Sequence, residues 1–149
     1  MQPLGKDLRE LLSLLDGHGV RFLVVGGFAV AAHGVPRYTK DLDIWTERSE
    51  DNARRLLEVL DEFGFSSVGL TTDDFLTPDL VIQLGSEPNR IDFLTDLTGV
   101  RFDEAYPKRM TGTIDGIAVP IIDRASLLAN KRAFGRPQDL ADAAELEQP

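Results

Sequence analysis

Asp41-Leu42-Asp43-Ile44 alternates charged and apolar residues. In a strand, residues two apart share a face, so Asp41 and Asp43 stand side by side while Leu42 and Ile44 turn to the opposite face, where they can be buried. Carboxylates held side by side repel one another. A divalent cation relieves that repulsion and gains hard oxygen ligands. A strand is also a stiffer mount for ligands than a loop. By itself Asp-x-Asp is better explained as a charged pair on a solvated strand face. Asp92 lies between Ile91 and Phe93, an ionised group inside a second apolar run, and alone it reads as an outward residue on a half-exposed strand. Gly26-Gly27 ends the apolar run Arg21–Val25 and opens a short helical segment. Amides at a helix N-terminus attract phosphate and glycine permits close approach, although a tight strand-to-helix turn asks for glycine too.

Composition narrows the chemistry these residues can serve. The chain has 149 residues and no cysteine, so disulfides and thiolate metal sites are ruled out. Its two histidines, His18 and His33, are too few for a His-rich zinc site. A bound metal must be held mainly by oxygen, which means magnesium, manganese or calcium. The net charge of −9 opposes non-specific binding to nucleic acid, where phosphate contacts dominate affinity. Arg37, Lys40, Lys108, Arg109, Lys131, Arg132 and Arg136 are the candidates for a local basic groove. Arg90 shares a strand face with Asp92 and reads as its ion-pair partner. Asp139 and Asp142 read as capping or solvating the last helix, and Trp45 and Tyr106 as packing residues, with Trp45 on the face of Asp43. No segment is long and apolar enough to span a bilayer, and residues Met1–Lys6 show no signal-peptide pattern. The expectation is a cytoplasmic protein without membrane contact.

The elements that must position these groups follow from periodicity and punctuation. Leu4, Leu8, Leu11, Leu12 and Leu15 predict a helix from Pro3 to Asp16. A strand over Arg21–Val25, a short helix over Phe28–His33 and a strand over Asp41–Thr46 come next. Ser49 is a predicted N-cap for a helix carrying Ala53, Leu56, Leu57, Leu60 and Phe63, closed by Gly64. Phe65–Leu70 reads as a short strand, and Thr71–Asp79 as a loop with a helical turn. Leu80–Leu84 and Arg90–Leu94 form a predicted hairpin around Ser86–Asn89. A helix over Asp103–Arg109, a hairpin over Thr113–Ile122 turning at Asp115-Gly116, a helix capped by Asp123 and a last helix after Pro137 complete the chain. The pattern predicts one α/β (α+β) domain over residues 1–149, with a mixed or antiparallel sheet and helices mainly on one side.

The combination is more specific than its parts. Val25-Gly26-Gly27, then Asp41-Leu42-Asp43-Ile44, then Ile91-Asp92-Phe93 resembles the signature of the nucleotidyltransferase superfamily that includes DNA polymerase beta. Gly34-Val35-Pro36-Arg37-Tyr38-Thr39-Lys40-Asp41-Leu42-Asp43 and the segment Leu127–Asp142 look like small bacterial nucleotidyltransferases, including toxin-type members related to the AbiEii group. The similarity runs from about Phe22 to Leu146 and implies the nucleotidyltransferase fold. It also implies that Asp41 and Asp43 ligate two magnesium ions, with manganese as the substitute. Asp92 would complete the catalytic metal site and orient or deprotonate the acceptor. Gly26 and Gly27 would hold the β- and γ-phosphates, and Arg37 and Lys131 would neutralise phosphate charge. The implied reaction moves an NMP group from an NTP, ATP foremost, to an unidentified acceptor and releases pyrophosphate. A small alcohol, a protein hydroxyl and a tRNA end are all compatible acceptors. The alternatives are a non-catalytic or regulatory toxin–antitoxin component that works through an antitoxin or other protein partner, and a tRNA-modifying or processing protein.

Overall fold

The leucine spacing of the N-terminal segment is realised as helix α1 (Lys6–Gly17), whose Leu8, Leu11, Leu12 and Leu15 form one fully buried stripe. The computed structural model describes residues 6–37, 39, 41–65, 69–85 and 90–148. Pro3, the predicted turn at Ser86–Asn89, and Tyr38 and Lys40 lie outside them. The remaining elements are β1 (Phe22–Val25), α2 (Gly26–Ala32), β2 (Leu42–Thr46), α3 (Glu50–Phe63), α4 (Thr72–Leu76), β3 (Val81–Leu84), β4 (Ile91–Leu94), α5 (Phe102–Ala105) with a 3-10 turn at Tyr106–Lys108, β5 (Met110–Ile114), β6 (Ile117–Ile121), α6 (Arg124–Phe134) and α7 (Pro137–Glu147).

The six described strands form one sheet in the order β3-β4-β2-β1-β6-β5. β1 is antiparallel to β2 and parallel to β6, β2 is parallel to β4, and β3–β4 and β5–β6 pair antiparallel. The sheet is therefore mixed, as the sequence predicts for this α/β chain. The two strands that carry the aspartates, β2 and β4, are direct neighbours inside it. Among the described residues no helix is long and apolar enough to cross a membrane.

Local chemistry sets the element ends. Ser49 Oγ accepts a bond from Asn52 N at 3.2 Å at the start of α3, and Asp123 accepts one from Ser126 N at the start of α6. The buried Asn52 ties α3 to the sheet: it accepts from Arg21 N at 2.7 Å and donates to Arg21 O and Glu47 O, both at 3.0 Å. Several boundaries differ from the sequence reading, β5 starting at Met110 rather than Thr113 among them. α2 begins at Gly26 rather than Phe28. Phe65, Gly69 and Leu70 carry no strand; the chain instead enters α4 through a Thr71–Asp74 capping box. The predicted Asp103–Arg109 helix breaks into α5 and the 3-10 turn where Pro107 has no amide to donate.

Along β2, Leu42 and Ile44 are buried on one face. Ile44 stands opposite Phe93 of β4, and the Phe75 ring of α4 meets Phe93 edge-on at 6.1 Å. The other face carries Asp43 and Trp45. Trp45 is buried under Phe102 of α5, with rings edge-on at 5.1 Å, and Phe102 stacks on Tyr106 at 5.2 Å. Apolar packing thus covers this face from Trp45 onward and stops at the carboxylates.

Candidate active site

Cross-strand register assembles the site. Val25 stands opposite Asp43, Asp43 opposite Asp92 and Asp92 opposite Gln83, a single row across β1, β2, β4 and β3. Neighbouring strands lie about 4.8 Å apart, so the side chains of Asp43 and Asp92 adjoin. Asp41 precedes β2 on the same face. Arg90, just ahead of β4, draws Asp41 and Asp92 together: its Nη2 lies 2.9 Å from Asp41 Oδ2, and its Nε lies 3.2 Å from Asp92 Oδ1. Nη2 also donates to Asp92 Oδ2 at 3.4 Å. The structure therefore brings Asp41, Asp43 and Asp92 to one patch. Arg90 pairs with Asp92 as its strand parity predicts, and additionally bridges to Asp41.

The patch is electrostatically loaded. The Asp43 carboxyl is pushed up from 3.8 to about 7, first by burial, then by the charges of Asp92 and Asp41 and a hydrogen bond with Asp92; Arg90 offsets part of this. Asp92 is only 8% exposed, and Asp41 Oδ1 is buried without a hydrogen-bond partner.

Gly26 makes room for this arrangement. Its φ is +67°, and a Cβ there would lie 2.0 Å from Asp43 Oδ2 and 3.1 Å from Asp43 Cβ. The residue that opens α2 must be glycine both for its backbone conformation and for the closeness of the carboxylate. Gly27 packs on Thr39, 3.1 Å from a would-be Cβ, and Thr39 Oγ1 donates to Asp41 O at 3.2 Å. Thr39 carries no signal of this role in sequence.

Arg37 and Lys131 meet at the acidic side chains of α7. Arg37 Nη2 donates to Asp142 Oδ1. Lys131 Nζ lies 3.3 Å from Asp142 Oδ2 and 3.5 Å from Asp139 Oδ1. Arg136 Nε donates to Asp139 at 2.6 Å, holding that carboxyl below its ordinary range. Asp139 and Asp142 are 2% and 1% exposed, not solvated as the sequence suggests, because three cations surround them. Of the basic-groove candidates, Arg132 pairs with Glu147 and Arg109 lies over the Tyr106 ring at 4.0 Å. His33 is structural, its Nε2 2.8 Å from Ile122 O. A cleft of about 330 Å³ lies at the opposite ends of β2 and β4, between Glu47, Arg48, Asp96 and Phe102; its Arg48 and Asp96 are paired at 3.2 Å.

Hard, partly buried oxygen donors, two of them (Asp41 Oδ1 and Asp92 Oδ1) without a hydrogen-bond partner, fit magnesium in their chemistry. Among the described residues, however, no three acidic or histidine side chains are gathered tightly enough to hold a metal ion as they stand.

A mixed sheet with Asp43 on β2, Asp41 just ahead of it, Asp92 on the adjoining β4 and glycines at the β1–α2 junction is the arrangement that the resemblance to nucleotidyltransferases implies. The chain belongs to the DUF2204 family, nucleotidyl transferases of unknown function, whose model matches residues 5–148. Solved structures share the fold. The lincosamide antibiotic adenylyltransferase LnuA in its lincomycin-bound form is 14% identical with a TM-score of 0.60, over 99% of each chain. ANT(2'')-Ia in complex with adenylyl-2''-tobramycin is 14% identical with a TM-score of 0.56, over 93% of this chain and 84% of that one. An antigenic nucleotidyltransferase-like protein from Paracoccidioides brasiliensis is 16% identical with a TM-score of 0.54, over 97% and 78%. No curated protein matches the sequence.

Proposed function

We propose that this nucleotidyltransferase moves an NMP group from an NTP, with ATP as the expected donor, to a hydroxyl acceptor, and that Asp41, Asp43 and Asp92 hold the magnesium it uses. The observation that carries this reading is the row formed by Asp43 and Asp92, closed by Asp41, in which a carboxyl is driven to about 7 by burial and by its own neighbours. A solvated surface pair would not be loaded in this way. Bound there, magnesium would activate the attacking oxygen and offset the charge of the leaving pyrophosphate. In the reaction the acceptor oxygen bonds to the α-phosphorus, and the bond from that phosphorus to the pyrophosphate oxygen breaks. Pyrophosphate leaves with the electron pair. Asp92, on the strand beside Asp43, orients the acceptor hydroxyl and takes its proton. The backbone of Gly26 and Gly27 lies beside Asp43 and is the proposed seat of the β- and γ-phosphates. For Arg37 and Lys131 to meet phosphate, each must exchange a contact with Asp142 for it.

A small-molecule alcohol is the favoured acceptor class. The lincomycin-bound and adenylyl-tobramycin-bound states of the two antibiotic-modifying neighbours support it, and the net charge of −9 disfavours tRNA. The test is incubation of the protein with α-labelled NTPs, magnesium and cell extract. Label should pass to a small-molecule fraction with wild type and not with Asp41→Ala. Label transfer by Asp41→Ala at the wild-type rate would refute the role given to the carboxylates.

A further inference from the structure

Arg90 occupies a peculiar place in a site built to hold a cation. Its backbone is fixed, because Arg90 O accepts the bond from Leu42 N at 3.1 Å. Its side chain is one-third exposed and reaches back over the patch to Asp41 and Asp92 together. The guanidinium touches two carboxylates at once, Asp41 through Nη2 and Asp92 through Nε and Nη2, so one side chain brings positive charge to both. It also stands between two of the three groups assigned to the metal, and the carboxylates as they stand form no ready metal cage.

We propose that Arg90 is a tethered counter-cation, which holds the place of the divalent ion between Asp41 and Asp92 and is displaced when the metal binds. The inference rests on the metal-site reading of Asp41, Asp43 and Asp92. One positive charge cannot neutralise three carboxylates, so the patch keeps its attraction for a divalent ion while Arg90 is in place. Asp41 Oδ1 is left without a hydrogen-bond partner, so the guanidinium satisfies the cluster only in part. The exposed third of the side chain borders solvent, and its backbone bond to Leu42 is independent of where the guanidinium lies, so the guanidinium can leave with the β2–β4 pairing intact. Metal binding then carries the cost of breaking two ion pairs, and the metal-free fold is spared part of the repulsion it would otherwise bear.

Manganese titrations followed by electron paramagnetic resonance, without nucleotide, test this on wild type, Arg90→Gln and Arg90→Lys. Arg90→Gln should bind Mn²⁺ about tenfold more tightly, the order expected for removing a competing unit charge from a partly buried cluster. Arg90→Lys, whose ammonium cannot span both carboxylates as the fork does, should fall between. In EDTA, Arg90→Gln should melt lower than wild type. Equal or weaker Mn²⁺ binding by Arg90→Gln, with wild type binding normally, would overturn the counter-cation role and leave the metal site standing. No Mn²⁺ bound by any of the three at millimolar concentration would overturn both. Should Arg90→Gln fail to fold, the wild-type Arg90 Nε–H resonance decides: slow solvent exchange in EDTA that quickens with Mg²⁺ supports displacement, and an unchanged signal refutes it.

Discussion

Asp43 couples the site to stability. Its ordinary carboxyl value of 3.8 is raised to about 7 in the fold, so the folded state binds the proton more readily than the unfolded chain. Asp43's contribution to the stability of the metal-free protein therefore falls as pH rises from about 4 to 7 and is flat above that window. Asp43→Asn removes the charge with little change in shape. It should melt higher than wild type in EDTA at pH 8, by an amount reflecting up to a few kcal/mol, and the two should converge near pH 4. Magnesium should raise the wild-type melting temperature by mass action and lose most of that effect in Asp43→Asn; an equal magnesium response in both would mean Asp43 is no ligand. Gly26 acts on the same carboxylate from the other side. Gly26→Ala forces a left-handed backbone onto alanine and sets its Cβ 2.0 Å from Asp43 Oδ2, a cost of about 1–3 kcal/mol for the backbone alone. Urea titration of Gly26→Ala, Asp43→Ala and the double variant should show a smaller loss for Gly26→Ala once Asp43 is truncated. Strict additivity would mean the contact carries no weight.

Elements decide which residues meet, and here the sequence is legible only in part. Alternation over Asp41–Thr46 suffices to put Asp41 and Asp43 on one face, and the same parity joins Arg90 to Asp92. The pairing of Asp43 with Asp92 is another matter, because it follows from the parallel register of β2 on β4, which no local pattern fixes across the helices between them. The bond from Arg90 to Asp41 depends on that register and is invisible for the same reason. Gly26-Gly27 is legible as a tight junction, while the service Gly26 gives to Asp43 needs the antiparallel β1–β2 pairing. Arg37 and Lys131 read as phosphate partners because their charge is local information; the docking of α7, which presents Asp142 to both, is not. That docking makes a prediction of its own. Asp142→Ala strips the shared partner from Arg37 and the largely buried Lys131, and should cost about 3 kcal/mol in urea unfolding. A loss below about 1 kcal/mol, the range of surface pairs, would show that the cluster does not fasten α7.

For the whole molecule, the claim is that a sheet of ordinary apolar strands spends its interior register on holding three acids at one point. Packing closes the same face beyond them, with Trp45 under Phe102 and Tyr106, and the carboxylates beside the β1–α2 junction are the proposed seat of nucleotide and metal. The most direct measurement is anomalous diffraction from crystals grown with Mn²⁺ and an NTP analogue that cannot be cleaved between the α- and β-phosphates. The account predicts manganese peaks within coordination distance of Asp41 and Asp43, one of them also reached by Asp92, with the triphosphate against the backbone of Gly26 and Gly27 and the Arg90 guanidinium moved away. Nucleotide bound with manganese at other residues, and Arg90 still bridging Asp41 and Asp92, would contradict it.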